Sequence, residues 1–225
     1  MIRGWRDHIL PLAAILISMV VTAFLLPRLP DPVPIHWGPT GQPDNYAPRL
    51  IGSFLLPLTA LGVYLLFLVI PVLDPKRANY EKFADTYHYW RIAFVLFMVF
   101  LQGITLYSIL IGDSRLNTNL VFIGVGLLFI LIGNYMPRVR SNWFVGIRNP
   151  WTLSNQEVWR RTHRFGGQIF VAGGLAMMVV ALISEEWQVA VLLGAIFAMA
   201  VIPNVYSYIL FRRFSDEERA GRSEA

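Results

Sequence analysis

The chain has no cysteine, which excludes disulfide bridges, thiolate metal sites and a cysteine nucleophile. Every exposed loop must order itself without a covalent staple. Acid is also scarce: 14 Asp and Glu stand against 19 Lys and Arg, a net charge of +5. Such a balance suits nucleic acid or anionic lipid. Here the cations sit beside long apolar runs, which favours the membrane and argues against direct nucleic-acid binding. The sequence carries no HExxH, no GxSxG and no paired aspartates, so the usual membrane-hydrolase chemistry has no visible carrier. Nothing in it calls for a cofactor. No internal repeat is convincing, which removes the best sequence sign of a transporter built from inverted halves.

What is abundant is hydrocarbon: 56 % of the residues are hydrophobic. Six apolar runs, about 9–26, 51–73, 91–111, 119–136, 167–184 and 188–211, are each long enough to cross roughly 30 Å of bilayer core. The first follows Arg3 and Arg6 but is longer than a signal-peptide core and lacks a small-x-small cleavage pattern, so it reads as a retained transmembrane helix. The central parts of the runs lack Asp, Glu, Lys, Arg and His, which counts against proton pumps and ion-coupled transporters. Lys and Arg distribute unevenly. With the N-terminus inside, 16 of the 19 fall in inside segments, leaving only Arg28, Arg49 and Arg115 outside. All seven tryptophans lie at or beyond span ends, as an interfacial aromatic belt requires.

The expected fold is an all-α integral membrane protein with six transmembrane helices and both termini inside. Residues 1–75 would form a two-helix unit with an outward loop, and 76–225 a four-helix unit, the two joined in one compact membrane bundle. The polar residues 215–225 read as a frayed tail.

The outward loop, residues 27–50, holds half of the 14 prolines. Proline fixes φ and glycine permits sharp reversals, so the loop should be rigid and non-helical. Two readings stay open. His36, Trp37, Asp44 and Tyr46 could form a recognition surface, or the loop could be a lid anchored by Trp37 and Tyr46. His36 with Asp31 or Asp44 falls short of a metal site, because one imidazole and scattered carboxylates lack the density of a zinc or two-metal centre.

On the inward side, Arg138, Arg140, Trp143, Phe144 and Arg148 suit lipid headgroups. Arg148-Asn149-Pro150-Trp151 reads as a turn. Ser154 with Glu157 three residues on predicts a capping box opening an amphipathic cytoplasmic helix before the fifth span. Glu157, Arg160, Arg161 and Arg164 would line one face of it. The helix should turn or continue into the bilayer near Gly166 and Gly167, with Gly173 and Gly174 allowing close helix contact. The stripe serves either as a topological anchor or as a docking surface. His163 reads as a packing residue, since no nucleophile or second acid is adjacent.

Two segments, PIHWGPTGQPDNY and GIRNPWTLSNQEVWRRTHRFGG, together resemble the SdpI-like bacterial immunity protein family, the first matching its N-terminal domain of unknown function. The resemblance covers nearly the whole chain. It implies a multi-pass protein of the bacterial cytoplasmic (inner) membrane that protects against a secreted membrane-active peptide toxin. In some members the toxin-bound protein also holds a cytoplasmic transcriptional repressor at the membrane. By position, Pro34, His36, Trp37, Gly41 and Asp44, with neighbouring Tyr46, would face the toxin. Gly146, Arg148, Pro150, Trp151, Thr152, Leu153, Trp159, Thr162, His163 and Gly167, together with Glu157 and Arg161, would form the cytoplasmic signalling or structural side. The competing reading is a small transporter or lipid-handling protein with a polar path through Gln102, Thr105, Ser108, Asn134 and Asn204.

Overall fold

Apolar side chains dominate the surface as well as the interior. Leu16, Phe24, Leu182 and Phe197 are each more than 60 % exposed, an arrangement that only a lipid environment tolerates over so much of a surface. The computed structural model describes residues 4–223, with side chains through residue 217. In chain order the elements are α1 (Arg6–Leu25), β1 (Val33–Trp37), β2 (Pro43–Ala47), α2 (Arg49–Leu73), α3 (Ala84–Leu110), α4 (Thr118–Tyr135), α5 (Pro150–Ser154), α6 (Gln156–Ile183) and α7 (Gln188–Ser223). Among the described residues six helices, all of α1–α7 but α5, are long and apolar enough to cross a membrane. The protein is thus an all-α multi-pass membrane protein whose spans match the apolar runs closely. Arg3, counted above among the inside cations, lies outside the described residues.

Helix α3 packs with α1 and α2, while α6 packs with both α4 and α7, and α3 touches α4. The boundary expected after residue 75 falls in the turn following α2. Between α1, α2 and α3 a polar bridge accompanies the apolar cluster of Ile15, Ala60, Tyr64 and Val95: Gln102 Nε2 donates to Thr22 Oγ1 at 2.9 Å and to the Ser53 carbonyl at 3.0 Å. Such bonds satisfy polar groups that lipid cannot. Helices α4 and α6 meet backbone to backbone. A Cβ on Gly174 would stand 2.5 Å from the Gly126 carbonyl oxygen, and one on Gly167 would stand 2.5 Å from that of Gly133, so side chains are excluded at both crossings. Gly174 performs the close contact expected of it, and Gly173 faces Met199 of α7.

The helix expected before the fifth span continues into it, α6 running unbroken from Gln156 through Gly166 and Gly167 into the apolar stretch. Three other expectations are corrected. The cap of α6 is Asn155 rather than Ser154: Asn155 Oδ1 accepts from the amides of Glu157 and Val158 at 2.8 and 3.1 Å. Ser154 instead closes the short α5, its hydroxyl donating to the Trp151 carbonyl at 3.2 Å. Residues 215–223 continue α7 rather than fray, since Glu, Arg and Ala are good helix formers; residues 224–225 lie outside the described part. The tryptophan belt is also incomplete. Trp5, Trp143 and Trp187 are exposed, whereas Trp90 and Trp159 are buried inside the protein.

Candidate functional site

The loop between α1 and α2 is a built structure. Strands β1 and β2 pair antiparallel, Val33 opposite Ala47 and Trp37 opposite Pro43, with irregular register around His36. Val33 is buried against Leu29, Leu106 and Ile109, which seats the hairpin on the end of α3. Its tip is clamped to the loop between α3 and α4. Trp37 Nε1 donates to the Ser114 carbonyl at 2.8 Å, Arg115 Nε donates to the Thr40 carbonyl at 3.1 Å, and the Leu116 amide donates to the Gly41 carbonyl at 2.9 Å. Gly41 has φ +75°, and a Cβ there would sit 2.5 Å from the Leu116 carbonyl oxygen, so only glycine fits. Arg115 also reaches Glu185, in the turn between α6 and α7, at 3.6 Å.

Of the six predicted residues at this end, His36, Asp44 and Tyr46 are exposed, Trp37 and Gly41 form the clamp, and Pro34 is buried. His36 Nδ1 lies 2.5 Å from Asp44 Oδ1. Asp31 is apart from that pair, accepting from the Arg49 amide at 3.1 Å. Among the described residues no three His, Asp or Glu gather as a metal site would require. The exposed trio offers an imidazole, a carboxylate and a phenol on a rigid support.

At the opposite end, residues 137–155 wind around buried polar side chains. Asn142 is fully buried; its Oδ1 accepts from the amides of Phe144 and Val145 at 2.9 and 2.6 Å, and its Nδ2 donates to the carbonyls of Arg140 and Val145 at 2.9 and 3.0 Å. Asp74, 2 % exposed, joins this loop to the end of α2 by accepting from the Trp143 amide and the Tyr80 hydroxyl, both at 2.9 Å. A buried carboxylate is tolerated only with such partners.

His163 is the pivot of the next turn. Its Nε2 accepts from the Ile147 amide at 3.0 Å, and its Nδ1 faces the Trp159 carbonyl at 2.8 Å. Accepting at one nitrogen and donating at the other requires the neutral ring with hydrogen on Nδ1. The ring also stacks on Trp159 at 4.0 Å. Trp159 Nε1 in turn donates to the Val139 carbonyl at 2.9 Å. Gly146 has φ +103°, and a Cβ there would collide with His163 Nε2. Both ring nitrogens are occupied and the ring is sealed, so His163 is the packing residue expected and no base.

The motif then grips α7. Asn149 caps α5 by accepting from the Thr152 amide at 2.9 Å, while its Nδ2 donates to Asn204 Oδ1 at 2.7 Å and Ser207 Oγ at 2.8 Å. Thr152 returns the cap, its hydroxyl accepting from the Asn149 amide at 3.1 Å. Trp151 packs on Tyr208 at 5.2 Å. Pro150 is the first residue of α5, Leu153 packs on the cluster around Trp159, and Arg148 Nη1 donates to the Trp143 carbonyl at 2.8 Å. Gly167 lies at the α4 crossing, and Thr162 is fully buried. Outside this knot, Glu157 pairs with Arg160 and Arg161 at 2.7 and 2.6 Å in an exposed stripe.

Sequence reasoning missed Asp74, Asn142, Asn149 and Ser207. Asn149 was findable, since Asn-Pro-x-Thr is a capping box with proline at the first helical position. Asp74 and Ser207 work through Trp143 and Asn149, far away in the chain, whereas Asn142 orders its own neighbours in an irregular loop.

Fold and site define a helical multi-pass membrane protein with an ordered face at each end. A family model described as the SdpI/YfhL protein family matches residues 138–207, and one described as a domain of unknown function (DUF1648) matches residues 13–61. The chain is 22 % identical over 211 residues to the Immunity protein SdpI of Bacillus subtilis (strain 168), spanning 93 % of this chain and 98 % of that protein. No solved structure gives a significant match. The chain is similar over nearly its whole length to the SdpI-like family, a family of immunity proteins and not of enzymes, and is a multi-pass protein of the bacterial cytoplasmic membrane.

Proposed function

We propose that this protein protects the cell that makes it from a secreted membrane-active peptide toxin, and does so by binding rather than catalysis. The observation that carries the reading is the near end-to-end similarity to an immunity protein, coupled to a braced hairpin that presents His36, Asp44 and Tyr46 to solvent. The Lys and Arg asymmetry supports placing that hairpin outside and both termini inside. The inner face, from Gly146 to Gly167 with the Glu157, Arg160 and Arg161 stripe, is the side that holds a cytoplasmic repressor once toxin is bound. That role requires the two faces to be coupled by a differential affinity between two states.

The polar residues that a transporter would use argue the other way. Gln102 bridges helices, and Asn204 accepts from Asn149 while donating to the Ala200 carbonyl at 2.6 Å. The test is survival of toxin-sensitive bacteria carrying the gene or an empty vector, across purified membrane-active peptide bacteriocins. Protection against at least one peptide is expected, and equal killing across all of them would overturn the immunity reading.

A further inference from the structure

A cavity of about 530 Å³ lies where α2 ends and the turn at 77–83 leads into α3. Neither face discussed above uses it. One wall is apolar, from Phe67, Pro71 and Val72, and Val72 is 69 % exposed on the side that faces lipid. The cavity is therefore continuous with the bilayer flank of α2. The other wall carries Arg77 and Arg91. Arg91 is 7 % exposed; its Nη2 donates to the Asp7 carbonyl at 3.1 Å and lies 2.9 Å from His88 Nδ1, yet its Nε is buried with no hydrogen-bond partner. With Nη2 on the Asp7 carbonyl and the guanidinium 5.6 Å from the centroid of the Tyr64 ring, Arg91 is a positive charge fixed on that wall. Glu81 lines the same cavity at its exposed rim, leaving an excess of one positive charge over the two arginines and one carboxylate.

We propose that this cavity is a resident-lipid site: an anionic glycerophospholipid enters sideways from the bilayer, lays the start of an acyl chain against Phe67, Pro71 and Val72, and places its phosphate by Arg77 and Arg91. Arginine matches phosphate geometry well. The site is independent of toxin binding. It would tie the turn after α2, which carries Asp74 and so the inner loop, to lipid composition.

The experiment is native mass spectrometry of the full-length protein in detergent, titrated with phosphatidylglycerol, with phosphatidylcholine, and with inorganic phosphate as competitor. Phosphatidylglycerol is expected to bind at a single saturable site and more tightly than phosphatidylcholine. Arg77→Gln, an exposed position that leaves the fold intact, should weaken it by about fivefold, the worth of one basic residue near a membrane surface. Ala78→Trp, which fills the cavity from its rim, should abolish saturable binding. Equal binding of both lipids, or phosphatidylglycerol binding unchanged in both variants, overturns the proposal. Displacement by millimolar inorganic phosphate also overturns it, because the occupant would then be a free phosphate compound.

Discussion

Replacing Gly146 by Ala tests whether the inner motif is held by one contact. Two costs add. The backbone at φ +103° suits glycine alone, and a side chain there costs about 1–3 kcal/mol. The new methyl also collides with His163 Nε2, and relieving that overlap in a packed interior costs about 1–3 kcal/mol more. His163→Ala alone removes a fully buried ring stacked on Trp159 and orphans the Ile147 amide, a loss of about 3–5 kcal/mol by comparison with other buried rings. The double variant has the backbone strain and the lost ring but no collision. It should therefore be less destabilised than the sum of the single changes, by about 1–3 kcal/mol. Equilibrium unfolding of the four proteins in mixed micelles measures that difference. Additivity within about 0.5 kcal/mol would refute the contact between Gly146 and His163 as the organising one.

Asn142→Ala should cost on the order of 3 kcal/mol in the same unfolding assay, since it strands the Phe144 and Val145 amides in a buried loop; Glu157→Gln, in an exposed ion-pair stripe, should shift stability by less than about 1 kcal/mol. Gly167→Leu should force α4 and α6 apart at the Gly133 crossing and reduce the folded fraction in membranes, seen as loss of the monodisperse peak in fluorescence-detected size exclusion. Because the chain has no native cysteine, single cysteines report topology cleanly: Thr40→Cys should react with an impermeant maleimide on intact cells and Ser154→Cys only after permeabilisation, and the reverse pattern would invert the proposed orientation.

The spans were legible because lipid demands continuous apolar length, a property local to the sequence. Helix starts were less so: Ser154 and Asn155 are both competent caps, and the choice depends on which of them breaks the backbone between α5 and α6. The hairpin hid among prolines, which have poor strand propensity and are tolerated here because a two-stranded ribbon leaves free edges. Its clamp depends on Trp37 meeting Ser114, a partner 77 residues away. Asp74 reaching Trp143 is equally non-local. Trp90 and Trp159 show a further limit. Their place near span ends was readable, but the direction in which each faces was set by packing around Tyr80, Phe83 and Tyr87. Thr152 and His163 bond within a short stretch, to Asn149, Ile147 and Trp159, whereas Asn149 also reaches Asn204 and Ser207 of α7, which no local pattern shows.

Toxin recognition by the hairpin is the central claim, and dose–survival curves test it most directly. Cells would express wild type, His36→Ala, Asp44→Ala or Glu157→Gln at equal membrane levels, against whichever peptide the wild type resists. The account predicts that the two hairpin variants lose protection while remaining folded and that Glu157→Gln protects as wild type does. Undiminished protection by both hairpin variants would contradict it.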